Sequence, residues 1–293
     1  MHGFLRSIGF GSLKKKKQID KLIQDVIDHP DRKYISEDAE GNVYAELCRD
    51  YGEFIGIAVR GEYSEDDTFE ADYYYPYFQG SGITTMEQID VEKHAEKESY
   101  AGICDDMKIG VTLIFYLQNV MEYLNKGKNL NIDEINTATT LSGLSGFGKI
   151  LLPIEKGKTQ RKKDESFLRE RNHLIAAARE GDEEAIESLT LEDMDTYSMI
   201  SRRIMYEDVL TIVNSYFMPY GIESDQYSIL GEILDVHAIE NHLTHEKLYV
   251  LNIDCNDLVF DICINSADLM GEPAVGRRFK GVIWMQGHIH YED

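Results

Sequence analysis

Apolar and polar side chains that alternate with a period of two are the strongest restriction on the fold of this chain. Residues 69–77 alternate in this way, and residues 258–264 do so near the other end of the sequence. Successive side chains of a strand point to opposite faces, so this spacing predicts strands with one buried face. The runs 227–236 and 247–254 are apolar at most positions and predict interior strands. Both ends of the chain are therefore expected to be rich in β-structure.

The first half of the chain carries further strand signals. Residues 43–49 and 54–62 are β-rich runs, and the intervening Asp-Tyr-Gly sequence, residues 50–52, predicts the turn of a hairpin. Residues 109–117 are almost entirely apolar, a pattern that fits a central strand and the start of a buried helix equally well. We therefore expect at least a hairpin and one buried element there.

Helices are predicted near the start and in the middle of the chain. Apolar residues recur three and four positions apart before Pro30, which predicts a helix over about 18–28. Residues 167–179 and 183–189 read as two short helices, and residues 190–204 read as a third with a start that resembles a capping box.

These signals divide the chain into three parts and give an α+β fold class. We expect an amino-terminal α+β domain over 1–154, a basic linker and helical segment over 155–205, and a carboxyl-terminal β-rich domain over 206–293. The last strand, residues 279–290, contains glycines, which favour strong bending. The carboxyl-terminal part is therefore expected to be a curled sheet or a small barrel.

The two β-rich parts show a weak internal similarity. Residues 104–113 align without a gap on residues 255–264, and residues 74–77 resemble residues 217–220 in the same order. A diverged duplication would explain this, but apolar strands also resemble one another by chance. Both explanations stay open at this point.

Charge restricts the partners of the protein. The net charge is −23, which repels a phosphate backbone, because nucleic-acid binding rests on Lys and Arg contacts. The stretch 149–171 is the exception, with eight basic and four acidic residues. It contains one aromatic residue, Phe167, and therefore offers few side chains on which bases could stack, so nucleic acid is not the expected partner.

Cysteine spacing and hydropathy bear on the location of the protein. The four cysteines form no Cys-x-x-Cys pair, which favours free buried thiols in a reducing compartment. Cys255 lies in Asp-Cys-Asn-Asp, residues 254–257, which reads as a turn rather than as a nucleophile. No apolar run approaches the ~18 residues needed to span a bilayer. The expectation is a cytoplasmic protein that does not enter a membrane.

The last strand offers a candidate ligand-binding or partner-binding face. Residues two positions apart share a face of a strand, and the face in question carries Trp284, Gln286, His288 and His290. It combines the single tryptophan with polar side chains, a composition that suits recognition. The alternative is that this face packs against a neighbouring helix.

Histidines raise the possibility of a metal site. His237, His242 and His245 lie in a loop-like segment, and His288 and His290 could join them only if the fold brought them together. No spacing here is diagnostic, so these are expected to be surface histidines. No metal, cofactor or catalytic residue is predicted, and no phosphate loop, GxSxG or HExxH motif is present.

Several strings resemble a family of uncharacterised proteins from clostridial bacteria. They are M-H-G-F-L-R-S-I-G-F, L-I-F-Y-L-Q-N-V-M, G-D-E-E-A-I-E-S-L-T-L-E-D-M-D, C-N-D-L-V-F-D-I-C-I-N and G-R-R-F-K-G-V-I-W-M-Q-G. The similarity extends over essentially the whole chain. The family is a domain of unknown function, so the resemblance implies no activity, cofactor or site residue.

Three functional hypotheses follow from the sequence. The first is a non-catalytic cytosolic protein that binds a ligand or a protein partner, and it is favoured because catalytic motifs are absent. The second is an enzyme with an unfamiliar site, such as a metal-assisted hydrolase using the histidines. The third is an RNA-binding module acting through residues 149–171. A cleft that gathers polar side chains would separate these hypotheses.

Overall fold

The computed structural model describes residues 3–37, 43–64, 66, 68–93, 99–106, 111–127, 137–154, 174, 177, 182–206, 208–222 and 225–291. Within these ranges the protein is mostly β with some helix. The elements are a 3-10 helix (Gly3–Ile8), α1 (Lys16–Asp28), β1 (Arg32–Glu37), β2 (Val43–Gly52), β3 (Ile55–Tyr63), β4 (Phe69–Phe78), β5 (Asp90–Lys93), β6 (Tyr100–Asp106), β7 (Val111–Leu117), α2 (Val120–Gly127), β8 (Thr137–Leu151), α3 (Glu183–Ile204), α4 (Val209–Ile212), β9 (Tyr216–Pro219), β10 (Gln226–Glu240), β11 (Lys247–Cys255), β12 (Leu258–Asn265), a 3-10 turn (Ser266–Asp268), β13 (Leu269–Met270) and β14 (Arg278–Tyr291).

The strands form two sheets. A four-stranded antiparallel sheet has the order β1-β2-β3-β4, and a ten-stranded sheet contains the other strands. Part of the larger sheet closes on itself, because β8 pairs with β12 on one side and with β14 on the other. Gly143 of β8 has partners on both sides, Ile262 and Met285. The carboxyl-terminal strands β10, β11, β12 and β14 therefore belong, with β8, to the closed part of the larger sheet.

Two apolar clusters hold these layers together. One lies within the ten-stranded sheet and α2, and includes Phe115, Phe260 and Ile283. The other joins the two sheets, since it combines residues of α1 and β2–β4 with Leu144 and Cys263 of the larger sheet. Burial of these side chains is the main favourable contribution to folding. The second cluster fixes the four-stranded sheet against the larger one.

The local predictions for the first half are largely confirmed. Helix α1 spans Lys16–Asp28, and its apolar stripe is buried. The hairpin of β2 and β3 is present, but its turn lies at Glu53 and Phe54 rather than at residues 50–52. Asp50 and Gly52 instead stay paired with β3 through an irregular register. The apolar run at 109–117 contains a strand, β7.

The prediction of two separate helices after residue 182 is wrong. Residues 183–204 form the single helix α3. The Thr190 hydroxyl donates a hydrogen bond to the Ile186 carbonyl at 2.9 Å. It therefore bonds to the preceding turn of the same helix and does not cap the amino terminus of a new one. The basic linker predicted at the start of the 155–205 segment lies outside the described residues, as does most of the predicted helix at 167–179.

The strand order gives no support to a duplication. Pro76 lies on β4 in the small sheet, whereas Pro219 lies on β9 in the large sheet, beside β10. The large sheet also takes β5–β8 from the first half of the chain and β9–β14 from the second. The two sheets are therefore not two copies of one arrangement, and the division at 154 and 205 stays a prediction.

Within the described ranges, none of the helices has the length and apolar character needed to cross a membrane.

Candidate functional site

A pocket lies between the two sheets, beside the first turn of α2. Its volume is about 100 Å³. Five segments contribute to it: β1, β2, the end of β4, the start of α2 and β14. The lining residues are Arg32, Tyr34, Glu46, Cys48, Tyr75, Tyr77, Gln79, Gln118, Asn119, Met121, Glu122 and His288.

Arg32, on the edge strand β1, is the cation at the wall of this pocket. Its Nη2 donates hydrogen bonds to Asp50 Oδ1 at 2.7 Å and to the Tyr77 hydroxyl at 2.8 Å. Burial opposes the charge, but Tyr77 and Asp50 outweigh burial and raise the pKa of Arg32. The Nε atom is buried and has no hydrogen-bond partner among the described residues. Arg32 is therefore held in place by Asp50 and Tyr77, while its buried Nε–H has no partner among the described residues.

The inner wall of the pocket is a buried ion pair between Glu46 and Arg60. The two residues are direct cross-strand partners on β2 and β3, so their side chains lie on one face of the sheet. Arg60 is 2% exposed, and it also donates to the Tyr73 hydroxyl at 2.6 Å and the Gln118 carbonyl at 3.1 Å. The Tyr75 hydroxyl donates to Glu46 at 2.9 Å.

In this arrangement the negative charge of Glu46 is neutralised by the positive charge of Arg60. Burial acts to lower the pKa of Arg60, but Glu46 and then the neighbouring tyrosines raise it well above its usual value. Burial also raises the pKa of Tyr75 and Tyr116, so both hydroxyls stay neutral. The pair and its tyrosines form a rigid floor rather than a reactive group.

Two other titratable side chains reach the pocket. Burial, followed by the charge of Glu46, raises the pKa of the Cys48 thiol far above its usual range. A protonated thiol is a poor nucleophile. Burial, followed by His290, lowers the pKa of His288, so its imidazole is neutral at pH 7. The pocket therefore presents a thiol and an imidazole that are both uncharged.

Some polar side chains of the pocket wall form no hydrogen bond with another described residue. Among the described residues, the side chains of Tyr34 and Gln79 have no hydrogen-bond partner, and neither has the ring of His288. These three side chains supply both donors and acceptors to the pocket. A molecule entering the pocket can pair with these groups without breaking a bond of the fold.

The face predicted on the last strand is divided between the core and the pocket. Trp284 is buried, stacks on Phe4 with ring centroids 5.5 Å apart, and donates from Nε1 to Asp225 Oδ2 at 2.7 Å. Gln286 is fully buried and donates to the Pro76 carbonyl at 2.8 Å. Both side chains thus bridge the strand to neighbouring segments.

The two histidines of that face lie nearer the surface. His288 lines the pocket, whereas His290 is exposed and lies 2.8 Å from the Thr140 hydroxyl. Their ring centroids are 4.8 Å apart. Of the four predicted residues, the structure therefore places only His288 at the pocket, and the use of this face for binding stays a prediction.

The histidines at 237–245 do not join those of the last strand. His237, His242 and His245 are exposed, and His245 lies 2.7 Å from Glu240. Across the part of the chain that the structure describes, no group of three or more His, Cys, Asp or Glu side chains is placed to hold a metal. The geometry therefore gives the metal-assisted hydrolase hypothesis no support.

The turn predicted at residues 254–257 is confirmed. Asn256 and Asp257 both have positive φ, 55° and 62°, which Asn and Asp tolerate better than most residues. Cys255 is buried beside this turn, and burial raises the pKa of its thiol to about 12. It is a core residue rather than a nucleophile.

Arg32, Tyr34, Gln79 and Glu122 were not found from the sequence. Arg32 and Tyr34 alternate along one short strand and pair in register with Cys48 and Glu46. That alternation was the available signal, but the run is short and mostly polar. Nothing in the sequence places Gln79 or Glu122 beside it, because β4 and α2 meet β1 only in the folded protein.

Comparison with known proteins gives a family but no activity. No curated protein and no solved structure matches the chain. A family match covers residues 5–287 of the 293, which confirms the similarity to uncharacterised proteins over nearly the whole chain. The chain therefore belongs to the family described as a domain of unknown function from an E. rectale gene description (DUF3881).

Proposed function

We propose that this protein is a non-catalytic cytosolic binding protein that holds a small molecule in the pocket between its two sheets. The observation that carries the proposal is a preformed pocket of about 100 Å³ whose wall presents the polar side chains of Tyr34, Gln79 and His288, none of which has a hydrogen-bond partner among the described residues. A ligand can pair with these donors and acceptors in place of solvent.

The chemistry of the pocket supports binding rather than catalysis. Nucleophilic catalysis needs a nucleophile activated by a base that a third group orients. Cys48 is held protonated by burial and by Glu46, which raise its pKa. The ring of His288 has no hydrogen bond to a described carboxylate that would orient it as a base. Glu46 is neutralised by Arg60.

The pocket is also preorganised, as binding sites usually are. Its floor is the buried pair of Arg60 and Glu46, and its wall is tied to α2 by Asn125, which donates to the Ile35 carbonyl at 3.0 Å. Binding therefore requires little reordering of the protein, which lowers its entropic cost.

The experiment is a screen of single-ring fragments by ligand-observed NMR with the full-length chain. Gln79→Trp places an indole at the mouth of the pocket. The matched control is Lys33→Trp, because Lys33 lies on β1 between Arg32 and Tyr34 and points to the opposite face.

We expect fragments to saturate the wild-type protein and the control variant but not Gln79→Trp. Equal binding to all three proteins, or no saturable binding to the wild-type protein, would overturn the proposed function.

A further inference from the structure

We propose that helix α3 is a docking surface for a second protein, and that the segment it receives is amphipathic and basic. This surface is separate from the pocket between the sheets, so the inference goes beyond the proposed small-molecule function. The placement of α3, its exposed side chains and its charge each support it.

Helix α3 belongs to a segment that leaves the large sheet and returns to it at one point. Arg278, at the start of β14, is 7% exposed, and its Nη2 donates hydrogen bonds to the Leu152 carbonyl at 3.0 Å and the Leu210 carbonyl at 2.9 Å. Because both oxygens bind one nitrogen, they are at most about 6 Å apart. The Arg278 Nη1 also donates to the Val213 carbonyl at 2.9 Å. The segment that carries α3 therefore begins and ends beside β14.

The apolar clusters of the core do not include α3. Among the described residues, no side chain of this helix belongs to either cluster. One side of α3 is nevertheless covered, since Ala185 is 3% exposed and Ser188 and Leu189, three and four positions further on, are partly buried. Residues at this spacing share one face of a helix. The other face of α3 is therefore the one that meets solvent.

That solvent face carries large apolar side chains. Ile186 is 46% exposed, Leu191 is 57% exposed and Met194 is 62% exposed. Leu191 and Met194 are three positions apart, and Ile186 lies about two turns before Met194, so the three lie along one side of the helix. A partner that covers them removes apolar surface from water, which favours association.

Charge specifies the chemistry of the partner. Residues 183–195 contain six acidic residues and no basic one. Glu183 and Glu187 are exposed, and the spacing of four that joins them continues to Leu191, so acidic and apolar side chains share this face. A partner that buries the apolar side chains must bring Lys or Arg to the acidic ones. A phosphate backbone would be repelled.

A second copy of this chain does not fit the same face. Two copies that pair through one surface are related by a two-fold axis, so each patch meets the same patch of the other copy. The carboxylates of Glu183 and Glu187 would then be brought toward those of the second copy. Juxtaposed like charges are costly, and the whole chain already carries a net charge of −23.

The test uses a fluorescent peptide of Leu, Ala and Lys that is about 18 residues long and forms an amphipathic helix of about five turns. Its counterpart has Glu in place of every Lys. Each peptide is titrated with the full-length protein at about 0.15 M salt, and binding is followed by fluorescence anisotropy. We expect saturable binding of the basic peptide and none of the acidic one.

One variant tests the apolar contacts without changing the net charge. The triple substitution Ile186→Ser, Leu191→Ser and Met194→Ser should weaken binding of the basic peptide by about tenfold or more. The matched control replaces three apolar residues that lie outside α3 and are 79%, 57% and 63% exposed, namely Met86→Ser, Leu243→Ser and Val275→Ser. The control should bind as the wild type does.

A second variant tests the charge. Glu183→Gln combined with Glu187→Gln should weaken binding and reduce its dependence on salt, because two charge contacts are lost. Glu232→Gln combined with Glu272→Gln changes the net charge equally at exposed positions outside α3, and it should do neither. Melting curves check that every variant folds. If the triple variant does not fold, the two glutamate variants decide the matter.

Three results would overturn the inference. The first is equal binding of the two peptides, or no saturable binding of the basic one. The second is an equal loss of affinity in the α3 variants and in their matched controls, since binding would then not be located at α3. The third is a dimer in sedimentation experiments that the triple substitution abolishes, because this face would then bind a second copy of the chain.

Discussion

Glu46→Gln tests whether the buried charge of Arg60 depends on its carboxylate partner. The substitution keeps the shape of the side chain and removes its charge. Glu46 is 4% exposed and Arg60 is 2% exposed, so little water is available to replace the lost interaction. The variant therefore leaves a guanidinium inside the protein without a counter-charge.

The loss of unfolding free energy can be estimated from the hydrogen bonds that Arg60 keeps in the variant. Breaking a buried ion pair by removing one partner usually costs about 3–5 kcal/mol. Arg60 keeps hydrogen bonds to the Tyr73 hydroxyl at 2.6 Å and to the Gln118 carbonyl at 3.1 Å, and Tyr75 can still donate to the Gln118 carbonyl at 3.3 Å. We therefore expect the low end, about 3 kcal/mol, a large fraction of the stability of an ordinary domain.

The assay is urea unfolding at pH 7, with the free energy obtained by linear extrapolation. The matched control is Glu272→Gln. Glu272 lies 3.9 Å from Arg277, with 85% of its side chain exposed, and exposed pairs contribute about 0–1 kcal/mol. The same chemical change is thus made at a buried pair and at an exposed one.

A loss below about 1 kcal/mol for Glu46→Gln, equal to that of the control, would refute the reasoning, because an unpaired buried charge is costly. A double-mutant cycle with Arg60→Met adds a second check. The two losses should sum to more than the loss of the double variant, since the second substitution removes the charge that the first left unpaired.

Three further predictions concern the core, the pocket and the thiols. Gly287→Ala should destabilise the protein by about 1–3 kcal/mol, because the added Cβ would lie 2.3 Å from the Phe115 ring; Gly146→Ala, with nothing within 4 Å, is the control, and equal urea midpoints would contradict the packing argument. Burial lowers the folded-state pKa of His288, so as the pH falls through about 6.5 the unfolded chain binds a proton that the folded protein does not. The unfolding free energy of the wild type should then fall as the pH is lowered, by at most about 1.4 kcal/mol per pH unit. If the unfolding free energies of the wild type and of His288→Gln change equally between pH 7.5 and about 5.5, the lowered pKa of His288 is refuted. All four cysteines are free and buried, so a thiol reagent at about pH 8 should react with none of them in native protein and with four after unfolding; a fast native reaction would show that a thiol is accessible.

Local sequence patterns predicted several individual elements, but not the strands β1, β5, β6, β8, β9 and β13. Helix α1 and strands β4, β12 and β14 follow from spacings of 3.6 and 2, which depend on backbone geometry alone, and β11 follows from an apolar run. The same reasoning divided residues 183–204 into two helices, because Thr190 has a side chain that suits a cap. Inside α3 its hydroxyl bonds to the preceding turn, and the cap is not needed.

The pocket is a product of the tertiary structure. Periodicity separates the two faces of a strand but does not say which face meets which element. On the last strand, Gln286 contacts Pro76 of the small sheet and Trp284 contacts Phe4 of the 3-10 helix, whereas His288 lines the pocket.

The sequence by itself therefore determined several of the strands, the first helix, the free buried thiols and the acidic character of the protein. The closure of the large sheet and the meeting of Arg32 with Glu122 and His288 were decided by tertiary structure, because they join segments about 90 to 250 residues apart. Contacts at such separations depend on which apolar faces are buried against one another. The residues that neighbour a side chain in sequence do not indicate which faces these are.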